Sequence, residues 1–228
     1  MLLPCFSRDK EVFIDETSKG TLFSSVFAAA VIWDPNLTEE IDPFVAKIKD
    51  SKKTTKKQRP ILRDYIEKHA IDFAVCFSDE KVIDEINILH ATYLTMHKCL
   101  DKLTHKFDLI IVDGNSFKPY HHIDDGYMPH ECIVDGDNKY IGIAAASILA
   151  KVYHDEYIRD MCKTHPYLQE RYDLLNNMGY GTKKHIDGIK KYGCTEFHRK
   201  TFTIKVGNER KRIGNCNGEP VTTIPYSV

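Results

Sequence analysis

The segment 107–115, FDLIIVDGN, constrains the fold more than any other part of the chain. Its unbroken apolar run is typical of a strand that is buried on both faces, which requires a sheet covered on both sides. Segments 11–16 and 21–33 read as two strands joined by a short polar turn, and so as an antiparallel hairpin. Strand and helix patterns alternate after that hairpin. The sequence therefore predicts an α/β domain with a mixed sheet flanked by helices.

The periodicity of the apolar residues places the individual elements. Besides the hairpin and the strand at 107–115, we predict two strands and three helices up to residue 162. One or two more helices are expected after it, with Thr182 as a helix cap. The strands are expected at 71–77 and 131–137, and the helices at 55–69, 78–103 and 141–162. The predicted domain covers 1–205, including a helical C-terminal portion. Residues 206–228 are expected to form a basic tail that contains Gly, Asn and Pro, or a late strand.

Composition excludes several classes of protein. No apolar run among the 228 residues reaches the roughly 18 needed for a membrane span, and the apolar start is too short for a signal peptide. The seven cysteines are odd in number and contain no CxxC pair, which argues against a disulfide framework and against a zinc site. We therefore expect a protein that is not secreted, has no membrane partner, and works in a reducing, cytoplasmic-type compartment, or in a host cytoplasm or nucleus if viral or eukaryotic.

Acidic residues lie at the ends of three predicted strands. Asp15 and Glu16 end the first, Asp113 ends the segment 107–115, and Asp137 ends the segment 131–137. Ligands bind at the carboxyl ends of strands in open α/β sheets, and clustered carboxylates favour Mg²⁺ or Mn²⁺ over zinc. Two such ions can activate a water and stabilise the leaving oxygen of a phosphodiester.

Two observations keep other interpretations of these carboxylates open. An Asp-Gly after a strand is most often an ordinary turn. Neighbouring side chains of an extended strand also point to opposite faces, so Asp15 and Glu16 reach one site only if the strand ends or bulges there, or if Glu16 contributes its carbonyl.

A basic segment, 47–63, holds eight Lys or Arg and one Asp. It is either a solvated helix face or a phosphate-contacting surface.

Eight motifs in order resemble those of the ribonuclease HII (type 2 ribonuclease H) family. They are IDETSKG at 14–20, DSKK at 50–53, IDEINILHAT at 83–92, IIVDGN at 110–115, GD at 136–137, IAAASILAKV at 143–152, MGYGTKKH at 178–185 and TEFHRKTF at 195–202. The resemblance implies a ribonuclease H-like fold. It also implies an endonuclease that cuts RNA within RNA–DNA hybrids, or cuts at ribonucleotides embedded in duplex DNA, and that leaves a 5′ phosphate and a 3′ hydroxyl.

The resemblance also assigns roles to individual residues. The catalytic and metal-binding carboxylates correspond to Asp15, Glu16, Asp113 and Asp137, with two ions expected. Contacts to the nucleic acid are implied for a larger set: Ser18, Lys19, Gly20, Ser51, Lys52, Lys53, Asn87, Thr92, Ser147, Lys151, Tyr180, His198 and Arg199. For His198 and Arg199, a structural hydrogen-bond pair is the equally weighted alternative.

The turn that reads the ribose departs from the family pattern. Ser18-Lys19-Gly20 stands where the family usually has Gly-Arg-Gly, and Met178 stands where it usually has Lys. Ser loses freedom at positive φ, and Lys replaces a planar bidentate donor by a point charge. The alternatives are therefore a specificity like that of ribonuclease HIII, without cleavage at single ribonucleotides, or a catalytically weakened hybrid-binding protein. Chain length indicates an enzyme that acts as a monomer without accessory subunits.

Overall fold

The computed structural model describes residues 1–7, 10–49, 54–55, 57–124 and 126–216. Within these ranges, strands and helices alternate as the sequence predicts. The strands are β1 Glu11–Thr17, β2 Val26–Ile32, β3 Asp72–Ser78, β4 Leu109–Asp113, β5 Tyr120–His122, β6 Gly126–Met128, β7 His130–Ile133, β8 Thr203–Val206 and β9 Glu209–Arg212. The α-helices are α1 Gln58–His69, α2 Glu80–Lys102, α3 Ile141–Thr164, α4 Tyr167–Tyr172, α5 Leu174–Asn177 and α6 Lys183–Tyr192.

The main sheet is mixed and has the strand order β3-β2-β1-β4-β7. The predicted hairpin of β1 and β2 is antiparallel, and β2 pairs with β3 in the same sense. β4 lies parallel to both β1 and β7. The predicted α/β class with a mixed sheet flanked by helices and a helical C-terminal portion is confirmed.

The chain divides into two compact units. The first, which we call the sheet unit, contains residues 1–19, 26–78 and 88–154. The second, the helical unit, contains residues 20–25, 79–87 and 155–228. Each unit has an apolar interior of its own. That residues 1–205 form a single domain therefore stays a prediction.

Alternation along β1 builds the interior of the sheet unit. Val12 and Ile14 pack into a cluster with the second half of α2, whereas Phe13 packs into a cluster with α3. The start of α3 approaches β1 closely: a Cβ added at Gly142 would lie 2.1 Å from Cδ2 of Phe13. The small residues of α3 therefore allow the tight packing on the sheet that the sequence predicts.

The helical unit has its own apolar cluster. Phe23, Ile158, Leu168 and Tyr172 are among its buried members. The short segment 20–25 is held in this unit by backbone hydrogen bonds, in which Leu22 N donates to Gly179 O and Ser24 N donates to Phe197 O. The unit also contains the predicted cap: Thr182 caps α6 by accepting a hydrogen bond from His185 N.

Two hairpins were not predicted as such, although β9 of the second lies where the sequence allowed a late strand. β5 and β6 form one, and their three-residue strands are too short for a periodic pattern to appear. β8 and β9 form the other around Gly207-Asn208, with Gly207 at φ 63°. The boundary predicted at residue 205 falls inside β8, and residues 217–228 of the predicted tail lie outside the described residues.

All seven cysteines lie in the described part of the chain and all are free thiols, as predicted. No helix in the described ranges is long and apolar enough to cross a membrane.

Candidate metal centre

The ends of β1 and β4 bring two carboxylates together. The two strands are parallel, and Ile14 pairs with Val112 in their register. Asp15 and Asp113 are the next residues on these adjacent strands, so they occupy neighbouring positions on the same face of the sheet. Asp113 is the last residue of β4, as predicted.

Asp15 is the most deeply placed of these groups. Only 4% of its surface is exposed, and Oδ1 accepts a hydrogen bond of 2.7 Å from the Glu16 amide. Burial raises the pKa of the Asp15 carboxyl well above its ordinary value, and the charges of Glu16 and Asp113 raise it further. A hydrogen bond from Ser147 on α3 lowers it. This carboxylate therefore lies where a cation would stabilise its charged form.

Glu16 lies one residue before the end of β1 at Thr17. Ser18 turns the chain with φ 65°, and Lys19 then forms an ion pair with Glu16. Burial raises the pKa of Glu16, Lys19 opposes that increase, and Asp113 adds to it. Asp113 raises the pKa of both Asp15 and Glu16, so the two neighbouring carboxyls lie near the same third carboxylate.

Asp137 lies next to this group through the backbone. The Asp113 Oδ1 atom accepts a 2.7 Å hydrogen bond from Gly136 N, and Asp137 is the following residue. Asp137 is 7% exposed, and its Oδ1 accepts a hydrogen bond from the side chain of Asn138. The prediction that a strand ends at Asp137 is wrong: β7 ends at Ile133, and Asp137 lies in a 3₁₀ turn over Gly136–Asn138. Asp135 enters this turn with a left-handed backbone, which ends the extended conformation.

The donor chemistry of this group fits a hard divalent cation. All four side chains are carboxylates, three of them repel one another electrostatically, and Lys19 is the cation that pairs with Glu16. In the described ranges, no group of three or more His, Cys, Asp or Glu side chains is arranged to hold a metal ion. The carboxylate oxygens bond instead to the Lys19 ammonium, the Gly136 amide and Asn138.

Several predicted nucleic-acid contacts are buried in the sheet unit. Thr92 is 2% exposed, and its hydroxyl donates to Ile88 O within α2. Ser147 is also buried and bonds to Asp15, which indicates that it orients this carboxyl group. Lys151 lies one turn further along α3 and is half-buried. Ser51, Lys52 and Lys53 lie outside the described residues.

Asn87 has an unusual backbone conformation. It has φ 65° and ψ 165° inside α2, where the helix kinks, and it is exposed. This region of φ/ψ space belongs almost entirely to glycine, and such strain in other residues is concentrated at functional sites. The helical periodicity of 78–103 gave no sign of the kink.

In the helical unit, Tyr180 differs from His198 and Arg199 in the exposure of its side chain. The Tyr180 side chain is exposed, whereas His198 and Arg199 are fully buried. Arg199 Nε donates a 2.7 Å hydrogen bond to Ser24 O, and burial lowers the pKa of Arg199 to about 9. Burial and these bonds favour the structural alternative for His198 and Arg199 over direct contact with nucleic acid.

A family model described as "Ribonuclease HII" matches residues 13–205. The chain belongs to the ribonuclease HII family. A ribonuclease HII from Phocaeicola vulgatus is 42% identical over 205 residues, which cover 90% of this chain and 94% of the relative. Members of the family are metal-dependent endoribonucleases that act on the RNA of RNA–DNA hybrids, and this chain is such an enzyme.

Solved structures place the chain in the same fold. The ribonuclease H2 of Pyrococcus horikoshii OT3 has a TM-score of 0.63 and 23% identity, covering 84% of this chain and 93% of its own. The Bst ribonuclease HIII, solved in complex with Mn²⁺, has a TM-score of 0.53 and 21% identity, covering 68% of this chain and 54% of its own. Both support the ribonuclease HII-type sheet with its flanking helices.

Proposed function

We propose that this ribonuclease HII family member hydrolyses the RNA strand with two divalent cations, Mg²⁺ or Mn²⁺, held by Asp15, Glu16, Asp113 and Asp137. The observation that carries the proposal is the mutual repulsion of Asp15, Glu16 and Asp113 at the adjacent ends of β1 and β4. The Mn²⁺ complex of the related ribonuclease HIII supports the choice of ion. When bound, such ions activate water and stabilise the leaving oxygen, which leaves a 5′ phosphate and a 3′ hydroxyl.

The protein's own residues prepare this chemistry. Ser147 donates to Asp15 from α3 and fixes the direction of that carboxylate. The Gly136 amide does the same for Asp113. Lys19 neutralises Glu16, and we propose that it moves to a phosphate or ribose oxygen of the substrate when a cation takes its place.

The turn after the carboxylates sets the specificity in this proposal. Ser18 adopts the left-handed conformation that the family's Gly would adopt without strain. Gly20 has open space: a Cβ added there would have no neighbour within 4 Å, so a ribose has room to approach. Lys19 offers a single ammonium group, where Arg would offer a planar guanidinium that can donate two parallel hydrogen bonds. These differences favour efficient cutting of long RNA runs and weaker cutting at a single ribonucleotide, as in the alternative that resembles ribonuclease HIII.

The double variant Ser18→Gly/Lys19→Arg tests this specificity. We expect it to increase cleavage at a single embedded ribonucleotide about tenfold, since glycine relieves the left-handed strain and Arg restores a bidentate donor. Cleavage of a hybrid with a long RNA run should change little. The measurement is kcat/KM on both substrates, with the cut positions and end groups read by gel electrophoresis. Equal cleavage of both substrates by the parent protein would contradict the proposed specificity.

The alternative that the sequence left open, a hybrid-binding protein with weakened catalysis, is not supported by the family comparison. All four carboxylates are present, which favours the enzyme. We further propose that the chain cuts as a monomer without accessory subunits, which sedimentation under assay conditions tests.

A further inference from the structure

Tyr180 projects from a tightly bonded loop between α5 and α6. Its side chain is 41% exposed, and the loop backbone is left-handed at two successive residues, with φ 49° at Met178 and φ 85° at Gly179. The Asn177 side chain stabilises this loop by accepting from Gly179 N and donating to Tyr172 O. The loop therefore presents one aromatic ring to solvent from a fixed backbone.

A chain of hydrogen bonds runs from Thr195 through two buried histidines to the Tyr180 carbonyl. Thr195 N donates to His198 Nδ1 at 3.0 Å, so that nitrogen is an acceptor and His198 carries its proton on Nε2. His198 Nε2 lies 3.1 Å from His185 Nε2 and must donate to it. His185 then carries its proton on Nδ1, which lies 2.9 Å from Tyr180 O, an atom that only accepts. Only one pair of tautomers satisfies the whole chain.

The surroundings keep both rings neutral. His185 and His198 are fully buried, and the His198 ring lies against the rings of Phe23 and Tyr172, with centroids 5.1 Å and 4.9 Å away. Burial lowers the pKa of His185, and burial together with His185 lowers that of His198 well below its ordinary value. A charged His185 would place two N–H donors face to face at the shared Nε2 contact, and a charged His198 would place its Nδ1–H against the Thr195 N–H.

We propose that His185 and His198 are positioning residues that orient Tyr180, through its carbonyl, for the contact with the nucleic-acid substrate that the family resemblance implies. The inference rests on the proposed function in that the protein must bind and cut a hybrid, and on the contact with nucleic acid that the resemblance implies for Tyr180; the hydrogen-bond chain depends on neither. Thr182 N also donates to Tyr180 O, so this carbonyl receives two hydrogen bonds and the peptide plane beside the ring is fixed. Neither histidine contacts the substrate in this account.

Nitrogen-15 NMR of the parent protein at neutral pH tests the hydrogen-bond chain without any substitution. The expected result is a neutral His185 protonated on Nδ1 and a neutral His198 protonated on Nε2. The Nδ1-protonated form expected of His185 is the less common tautomer of free histidine. Its detection would therefore point to the hydrogen bond from His185 to the Tyr180 carbonyl. The opposite tautomers, or an imidazolium at either position, would overturn the inference.

A double-mutant cycle tests the positioning role. We expect His185→Leu to raise KM for an RNA–DNA hybrid about tenfold with little change in kcat, because the loss is in substrate binding. In a Tyr180→Ala background, the same substitution should raise KM no further. His185→Asn, whose amide can still donate to Tyr180 O, should retain most of the parent KM, which a purely volume-based role would not predict.

The outcomes separate the two claims. If Tyr180→Ala raises KM but His185→Leu adds its full effect in that background, the positioning role is wrong and the role of Tyr180 stands. If Tyr180→Ala leaves KM unchanged, the proposed role of Tyr180 is wrong, and positioning by the histidines falls with it. The tautomers measured by NMR remain a separate result in either case.

Discussion

Replacing Asp113 by Asn is expected to reduce cleavage of an RNA–DNA hybrid by about 10³-fold or more, because the change removes a metal ligand and its charge. The Asn side chain keeps an oxygen that can accept the hydrogen bond from Gly136 N. It also removes a negative charge that raises the pKa of both Asp15 and Glu16. The variant should therefore unfold at the same or a higher temperature than the parent in metal-free buffer, and should still bind the hybrid.

Asp108→Asn is the matched control for this experiment. Asp108 is an exposed residue just before β4, at the opposite end of the strand from Asp113. It should cut like the parent in the same single-turnover assay. Cleavage by Asp113→Asn within about tenfold of the parent would show that Asp113 is not a metal ligand.

Gly142→Ala is expected to destabilise the protein by about 1–3 kcal/mol, even though alanine favours a helix. The added Cβ would lie 2.1 Å from Cδ2 and 2.3 Å from Cγ of Phe13, so α3 must move away from β1. Ser147 on the same helix would then lose its hydrogen bond to Asp15, and cleavage should fall together with stability. Urea unfolding followed by circular dichroism measures the change in the free energy of unfolding.

Gly20→Ala supplies the matched stability control. Its added Cβ has no neighbour within 4 Å, and Gly20 does not have a positive φ. Its unfolding midpoint should equal that of the parent. A Gly142→Ala variant as stable as the parent would contradict the close contact between α3 and β1.

The elements that position the carboxylates could be predicted because each depends on a local pattern. The apolar run of β4 and the small residues at the start of α3 are signals of burial, and both elements formed as expected. In the structure, parallel pairing of β1 and β4 then brings Asp15 and Asp113 together. Asp137 differs because the end of β7 depends on the left-handed Asp135, and any of several residue types can adopt that conformation.

Burial of polar side chains could not be predicted from their type. Thr92 and His198 belong to motifs shared with the family, but their hydroxyl and imidazole groups bond within the protein. The same applies to His185, which the sequence placed in a motif without a role. The hydrogen bond between His185 and His198 joins two helical-unit segments that are thirteen residues apart in the chain, and no local period reveals it. A motif thus indicates the family more reliably than it indicates which of its residues contact the substrate.

The most direct test of the carboxylate centre is cleavage of an end-labelled RNA–DNA hybrid by the chelator-treated protein, before and after addition of Mg²⁺ or Mn²⁺. We predict no cutting in chelator and full recovery with either ion, yielding products with 5′ phosphate and 3′ hydroxyl ends. Undiminished cutting in excess chelator would contradict the account. So would the absence of cutting by folded protein at every concentration of both ions.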